Sequence, residues 1–125
     1  TSSALSHVPL NIAPTYSASK AAVRFYTVAL RDHLQLANSN VRVFELQPPA
    51  VATEMTKDMG IQTISPKQLI EALINGIKKN KYTIRVGVAT LLYVINRISP
   101  KLAYKIVNTV KNAEVLKSLA AEVPE

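Results

Sequence analysis

A phenol and an ammonium stand four residues apart in Tyr16-Ser17-Ala18-Ser19-Lys20. On a helix that spacing puts both groups on one face, one turn apart. A lysine cation beside a tyrosine favours the phenolate, so the tyrosine can give and take a proton near neutrality. The pair alone has little specificity, because both residue types are common on helix surfaces. Two features accompany it: Ser3 lies thirteen residues before Tyr16, and Pro48-Pro49-Ala50-Val51-Ala52-Thr53 follows a run of β-forming residues. As ordinary structure, Ser3 reads as a turn hydroxyl and Thr53 as an N-cap over Glu54, Met55 and Thr56.

The elements that must position these groups are legible from periodicity and punctuation. Residues 14–37 contain no glycine and no internal proline, and they place Ala18, Ala21, Ala22, Phe25, Ala29 and Leu36 at helical intervals. One long helix is expected there, its small residues allowing close packing against a sheet or a partner helix. The turn cluster Asn38-Ser39-Asn40 precedes a short strand over 41–46, which the Pro48-Pro49 pair must end because neither proline donates a ladder hydrogen bond. Ser65, Pro66 and Gln68 spell an N-cap, a first-position proline and a capping box. The helix they open carries Leu69, Leu73, Ile74 and Ile77 as its apolar stripe, with Lys78, Lys79 and Lys81 at its C-terminal end. A strand over 82–86, a break at Gly87, an apolar helix over 89–98 and a second cap at Ser99-Pro100 follow. A helix using Leu102, Ile106, Val107 and Val110 comes next, and a short frayed helix is expected over 112–125. Helix, strand, helix, strand and further helices make half of a doubly wound, Rossmann-like α/β fold with a parallel sheet.

Composition narrows the functions. The 125 residues, 48% hydrophobic, suit one domain with one core. The net charge of +7 permits an anionic partner, yet Lys78, Lys79, Lys81, Lys101, Lys105, Lys111 and Lys117 do not alternate with aromatics as stacking platforms would. A solvated basic face is the reading, and no nucleic-acid partner is expected. Without cysteine there is no thiolate metal site, and His7 and His33 share no ligand spacing, so no metal is expected. The longest apolar stretch, 86–98, falls short of the roughly 20 residues that span a bilayer. Nor does the opening Thr1-Ser2-Ser3 look like a signal peptide, and a cytoplasmic setting is expected.

The combination of Ser3, Tyr16 and Lys20 resembles the active site of the short-chain dehydrogenase/reductase family, whose catalytic serine precedes Tyr-x-x-x-Lys by thirteen residues. Thr1-Ser2-Ser3-Ala4 is similar to the end of that family's fifth strand. Tyr16-Ser17-Ala18-Ser19-Lys20-Ala21-Ala22 is close to its commonest motif wording. Pro48, Val51 and Thr53 match its Pro-Gly-x-Val-x-Thr loop. Pro49 replaces the glycine, as in a bacterial branch associated with D-alanylation operons, and Ala52 stands where that branch commonly has an aspartate.

This resemblance implies hydride transfer between NAD or NADP and a small-molecule carbonyl or alcohol. Tyr16 would be the acid/base, Ser3 a hydrogen-bond donor to the reacting oxygen, and Lys20 the residue that assists Tyr16 and binds the nicotinamide ribose. Pro48, Val51 and Thr53 would join Tyr16 and Lys20 in contacting the cofactor. It also implies that the long helix pairs copies of the chain into a homo-oligomer. Glycines occur only at 60, 76 and 87, so no glycine-rich turn is present to receive the pyrophosphate. The chain therefore reads as the C-terminal catalytic half of a dinucleotide-binding domain, expected to be inactive alone. Two other readings stay open: a non-enzymatic, self-associating remnant, and a docking element built from the basic, apolar C-terminal helices.

Overall fold

Prolines and small polar caps decide where the helices begin. The computed structural model describes residues 1–57 and 63–109, in which a 3-10 turn at Ala4–Ser6 leads to α1 (Pro14–Leu36), β1 (Glu45–Gln47) and a second 3-10 turn, Glu54–Thr56. Then come α2 (Pro66–Lys78), β2 (Thr83–Arg85), α3 (Val88–Ile98) and α4 (Pro100–Val107). Pro14, Pro66 and Pro100 occupy first-turn positions, where the missing N–H costs nothing. Ser65 and Gln68 close the expected capping box, the Gln68 amide reaching the Ser65 hydroxyl at 3.2 Å and the Ser65 amide reaching Gln68 Oε1 at 2.9 Å. Ser99 caps α4 in the same manner through the Leu102 amide.

Two helices end on an asparagine in the left-handed conformation. Asn38 and Asn80 adopt φ of 51° and 52°, and the amides that follow them turn back onto Leu34 and Gly76 carbonyls at 2.9 and 2.8 Å. Both are Schellman motifs in which asparagine fills the left-handed position usually given to glycine. The expected helix over 112–125 and its neighbour Val110 lie outside the described residues.

β1 and β2 pair in parallel, with Leu46 opposite Ile84, and α2 makes the crossover between them. Both strands are shorter than expected, covering 45–47 and 83–85 instead of 41–46 and 82–86. Over 41–44 the backbone serves other partners: the Val43 carbonyl accepts from Arg31 Nε at 3.1 Å, and Phe44 stacks on Tyr82. The pairing begins only where the Glu45 amide meets the Tyr82 carbonyl, and Pro48, with no N–H, ends it. A third extended segment runs beside β1, as the Ser2 and Ala4 amides donate to the Leu46 and Pro48 carbonyls, both at 3.0 Å. The Ser3 amide must then point toward the opposite edge.

The expected stripes hold only in part. On α1 the inward side is Ser17, Lys20, Ala21, Arg24, Thr27, Leu30, Arg31 and Leu34, so Ala21 of the expected group is half-buried, while Ala18, Ala22, Phe25, Ala29 and Leu36 face away, with Phe25 70% and Leu36 85% exposed. That side of α1 is mixed, and Arg31 on it donates to the Val43 and Tyr82 carbonyls. On α2, Leu69 and Leu73 of the expected stripe are half-buried, Ile74 and Ile77 are exposed, and the buried residue is Gly76, where a Cβ would overlap the Ile84 side chain. Helix and strand approach closely only because that position is glycine. Among the described residues Ala4, Val8, Leu46, Ile84, Ala89 and Ala103 form the apolar core. Lys78, Lys79, Lys81, Lys101 and Lys105 are all exposed, as the solvated basic face requires; Lys111 and Lys117 lie outside the described residues. Among the described residues no helix is long and apolar enough to cross a membrane.

Candidate active site

Tyr16 and Lys20 occupy the first two turns of α1. The Lys20 ammonium sits 5.6 Å from the centre of the Tyr16 ring, with Tyr16 45% exposed and Lys20 half-buried. Ser17, between them in sequence, is buried and anchors this end of the helix. Its hydroxyl faces the Ala13 and Pro14 carbonyls at 3.3 and 3.1 Å and accepts the Leu10 amide at 3.3 Å. The phenol and the ammonium therefore stand on a helix end fixed from beneath, both within reach of a ligand.

Ser3 lies in extended backbone (φ −162°, ψ 163°) at the end of the segment paired with β1, and it caps the Ala4–Ser6 turn by accepting the Leu5 amide at 3.1 Å. That bond occupies a lone pair of Oγ and leaves the O–H to be donated. The Ala4–Pro48 bond places Ser3 next to the start of the 48–53 loop. This loop leaves the carboxyl end of β1 and folds back through a parallel bridge between Val51 and Ile64. Thr53 precedes the turn Glu54–Thr56, its amide donating to Thr56 Oγ1 at 3.0 Å, while Thr56 donates to the Val51 carbonyl at 2.7 Å. Thr53 thus sits at an N-cap position with its side chain in an exposed residue. The Ala4–Ser6 turn packs on α1, which brings the Ser3 and Tyr16 elements together. The two hydroxyls do not hydrogen-bond to each other.

Beneath Ser3 runs a buried polar chain. Ser2 Oγ donates to Glu45 Oε1 at 2.6 Å, Gln47 Nε2 donates to the same oxygen at 2.8 Å, and Gln47 Oε1 lies 3.0 Å from His7 Nε2. Glu45 is 2% exposed and Gln47 fully buried. A carboxylate only accepts, so the Gln47 amide nitrogen must face Glu45 and its oxygen must face His7. His7 Nε2 is then the donor. Burial, together with the nearby Arg24 and Arg85 charges, holds His7 below its ordinary 6.5, against the opposing pull of Gln47 and Glu45. The imidazole also meets Tyr93 edge-on at 5.1 Å, and Arg85 lies 3.7 Å over the same Tyr93 ring.

None of Ser2, Glu45, Gln47 or His7 stood out in sequence as a group. The available signal was the i, i+2 pair Glu45 and Gln47, two polar residues on the side of the strand that also carries Val41 and Val43. His7 read as an ordinary polar position; it is half-buried and bonded to the strand 40 residues away.

Comparison with known proteins gives the family and the fold. The model of the short chain dehydrogenase family matches residues 1–63, from Ser3 through the proline loop. The uncharacterized oxidoreductase DltE of Bacillus subtilis (strain 168) is 31% identical over 88 residues, which are 66% of this chain and 34% of that protein. A short chain dehydrogenase from Burkholderia cenocepacia J2315, solved in complex with NADP, superposes with a TM-score of 0.76 at 24% identity, covering 86% of this chain and 45% of that one. The chain thus spans less than half the length of either relative. With half of its residues matched by the family model and its parallel α/β architecture shared with a solved member, this chain belongs to the short-chain dehydrogenase family.

Proposed function

We propose that the chain is the catalytic half of an NAD(P)-dependent oxidoreductase that interconverts a small-molecule carbonyl and its alcohol. The observation that carries the reading is the Lys20 ammonium beside the exposed Tyr16 ring on a helix end that Ser17 anchors. The bound nicotinamide supplies or accepts the hydride. In the reducing direction Tyr16 donates its phenolic proton to the carbonyl oxygen, and the Lys20 cation stabilises the negative charge left on the phenol oxygen. Ser3, whose Oγ already accepts the Leu5 amide, donates its O–H to the same substrate oxygen and holds it in line.

The residues present fit the nicotinamide half of the cofactor. The 48–53 loop leaves β1 beside Ser3; in this reading Pro48, Val51 and Thr53 contact the nicotinamide, and Lys20 donates to the ribose hydroxyls. No glycine-rich turn stands among the 125 residues to grip a pyrophosphate. The adenine half of NAD or NADP is therefore assigned to protein outside this stretch, and the stretch alone is inactive. The exposed side of α1, with Ala18, Ala22, Phe25, Ala29 and Leu36, supports pairing between copies.

In a chain extended upstream, Tyr16→Phe should lower NADPH consumption with aldehydes and ketones by at least about 10²-fold while NADPH still binds. Retained turnover would remove Tyr16 as the acid. The 125 residues alone should leave NADPH fluorescence unshifted, and tight binding by them would overturn the assignment of the adenine half.

A further inference from the structure

Ser3 and Tyr16 are joined by a loop that has little regular structure of its own. After the Ala4–Ser6 turn the chain runs through His7 to Ala13 before Pro14 opens α1. Within it Val8 is buried, the Ala13 amide closes a turn onto the Leu10 carbonyl at 3.2 Å, and the rest depends on other elements. Among the described residues two side chains reach its backbone with hydrogen bonds. One is Ser17, already part of α1. The other is Asn108, at the far end of the described chain.

Asn108 holds the loop from both sides of its amide. Its Oδ1 accepts the Asn11 amide at 2.7 Å, and its Nδ2 donates to the Pro9 carbonyl at 2.9 Å. A primary amide presents one acceptor and two donors in a plane, and here it satisfies the amide of one loop residue and the carbonyl of another two positions away. Asn108 is itself held at the end of α4. Its backbone amide and its Nδ2 both meet the Tyr104 carbonyl, at 2.9 and 3.0 Å. Beside this link an open cavity of about 640 Å³ is lined by His7, Val8 and Pro9 on the loop and by Tyr104 and Lys105 on α4. At its other end the loop is tied by the His7–Gln47 bond.

We infer that Asn108 is a positioning residue for the Ser3–Tyr16 pair, clamping the loop that joins them to the C-terminal helices. The inference rests on the role proposed for Ser3 and Tyr16. An unclamped loop lets the Ser3 hydroxyl and the Tyr16 phenol shift relative to one another, and displacement of reacting groups by about 1 Å costs on the order of 10²-fold in rate.

The test separates the clamp from a plain helix cap. Asn108→Gly keeps the backbone amide that meets the Tyr104 carbonyl and removes both loop bonds, while Asn108→Asp keeps an acceptor for the Asn11 amide and loses the donor to Pro9. In the upstream-extended protein, Asn108→Gly should lower kcat by about 10- to 100-fold with KM for NADPH unchanged, and Asn108→Asp should recover part of that loss. Amide exchange at Asn11 should quicken at least tenfold in Asn108→Gly and less in Asn108→Asp, with the α1 amides beyond Lys20 unaffected. Unchanged kcat and unchanged Asn11 exchange in Asn108→Gly would overturn the inference, and so would quickened exchange with unchanged kcat. Loss of protection across α4 matching that at Asn11 would also overturn it, showing a cap alone. The Tyr16→Phe variant keeps the two ideas apart, because retained turnover there defeats the catalytic reading while the exchange data still report on the clamp.

Discussion

The Tyr16–Lys20 pair and the Ser3 segment are placed by different means. Two turns of helix put the ammonium beside the phenol, so that half of the site needs only residues within α1 and the Ser17 anchor beneath it. Ser3 is held by residues spread over the chain: Leu46 and Pro48 through backbone bonds to its neighbours, Glu45 under Ser2, Gln47 under His7, and Asn108 on the loop beyond. A local element can carry a reactive group to an exposed place with little embedded support. A group on a strand end adjoining a loop must be supported from outside, and the supports here are polar and buried. Disturbing the second kind should cost stability, and disturbing the first should cost only chemistry.

The largest expected effect tests the buried chain. Gln47→Leu would leave His7 Nε2 and one side of the Glu45 carboxyl without partners, at about 2–4 kcal/mol by urea denaturation, since orphaned buried polar groups lose their full solvation. A loss under about 0.5 kcal/mol would mean the chain contributes nothing to holding the Ser3 segment. A smaller effect concerns pH. Because folding holds the His7 pKa below 6.5, the unfolded chain takes up a proton at His7 before the folded one does as pH falls. Stability should therefore decline with falling pH from about 6.5 until the folded imidazole also protonates. His7→Gln keeps a donor toward Gln47 and should flatten that stretch of the curve; an unchanged curve would place the acid sensitivity elsewhere. The smallest expected effects lie on the other half of the site. Tyr16→Phe and Lys20→Met should each change stability by no more than about 0.5 kcal/mol, since Tyr16 is exposed, Lys20 is only half-buried and neither belongs to the buried polar chain. A loss above 2 kcal/mol in either would erase the contrast between the two halves.

Much of this was open to reading in the chain itself. Helix starts were legible because proline at the first position and a serine cap act within four residues: Pro14, Ser65-Pro66 and Ser99-Pro100 each open a helix as expected. The motif residues were legible because Tyr16 and Lys20 are one helical turn apart, and because Ser3 and the proline loop follow a family pattern. The parallel α/β class followed from the alternation of elements. Strand limits were not, since β1 starts where Tyr82 offers a carbonyl and not where β-forming residues begin.

Only the tertiary structure decided which faces are buried and what supports the serine. Helical periodicity grouped Ala18, Ala21, Ala22, Phe25, Ala29 and Leu36 but could not say which of them are covered; Ala21 is half-buried and the other five face outward. Periodicity is likewise silent on polar partners 40 to 99 residues apart, such as His7 with Gln47 and Asn108 with Pro9. Sequence alone determined the family and the helix that bears Tyr16 and Lys20, because a motif and a helix both depend on local spacing. How Ser3 is held was settled by tertiary structure, because buried hydrogen bonds exist only between groups that the finished fold brings face to face.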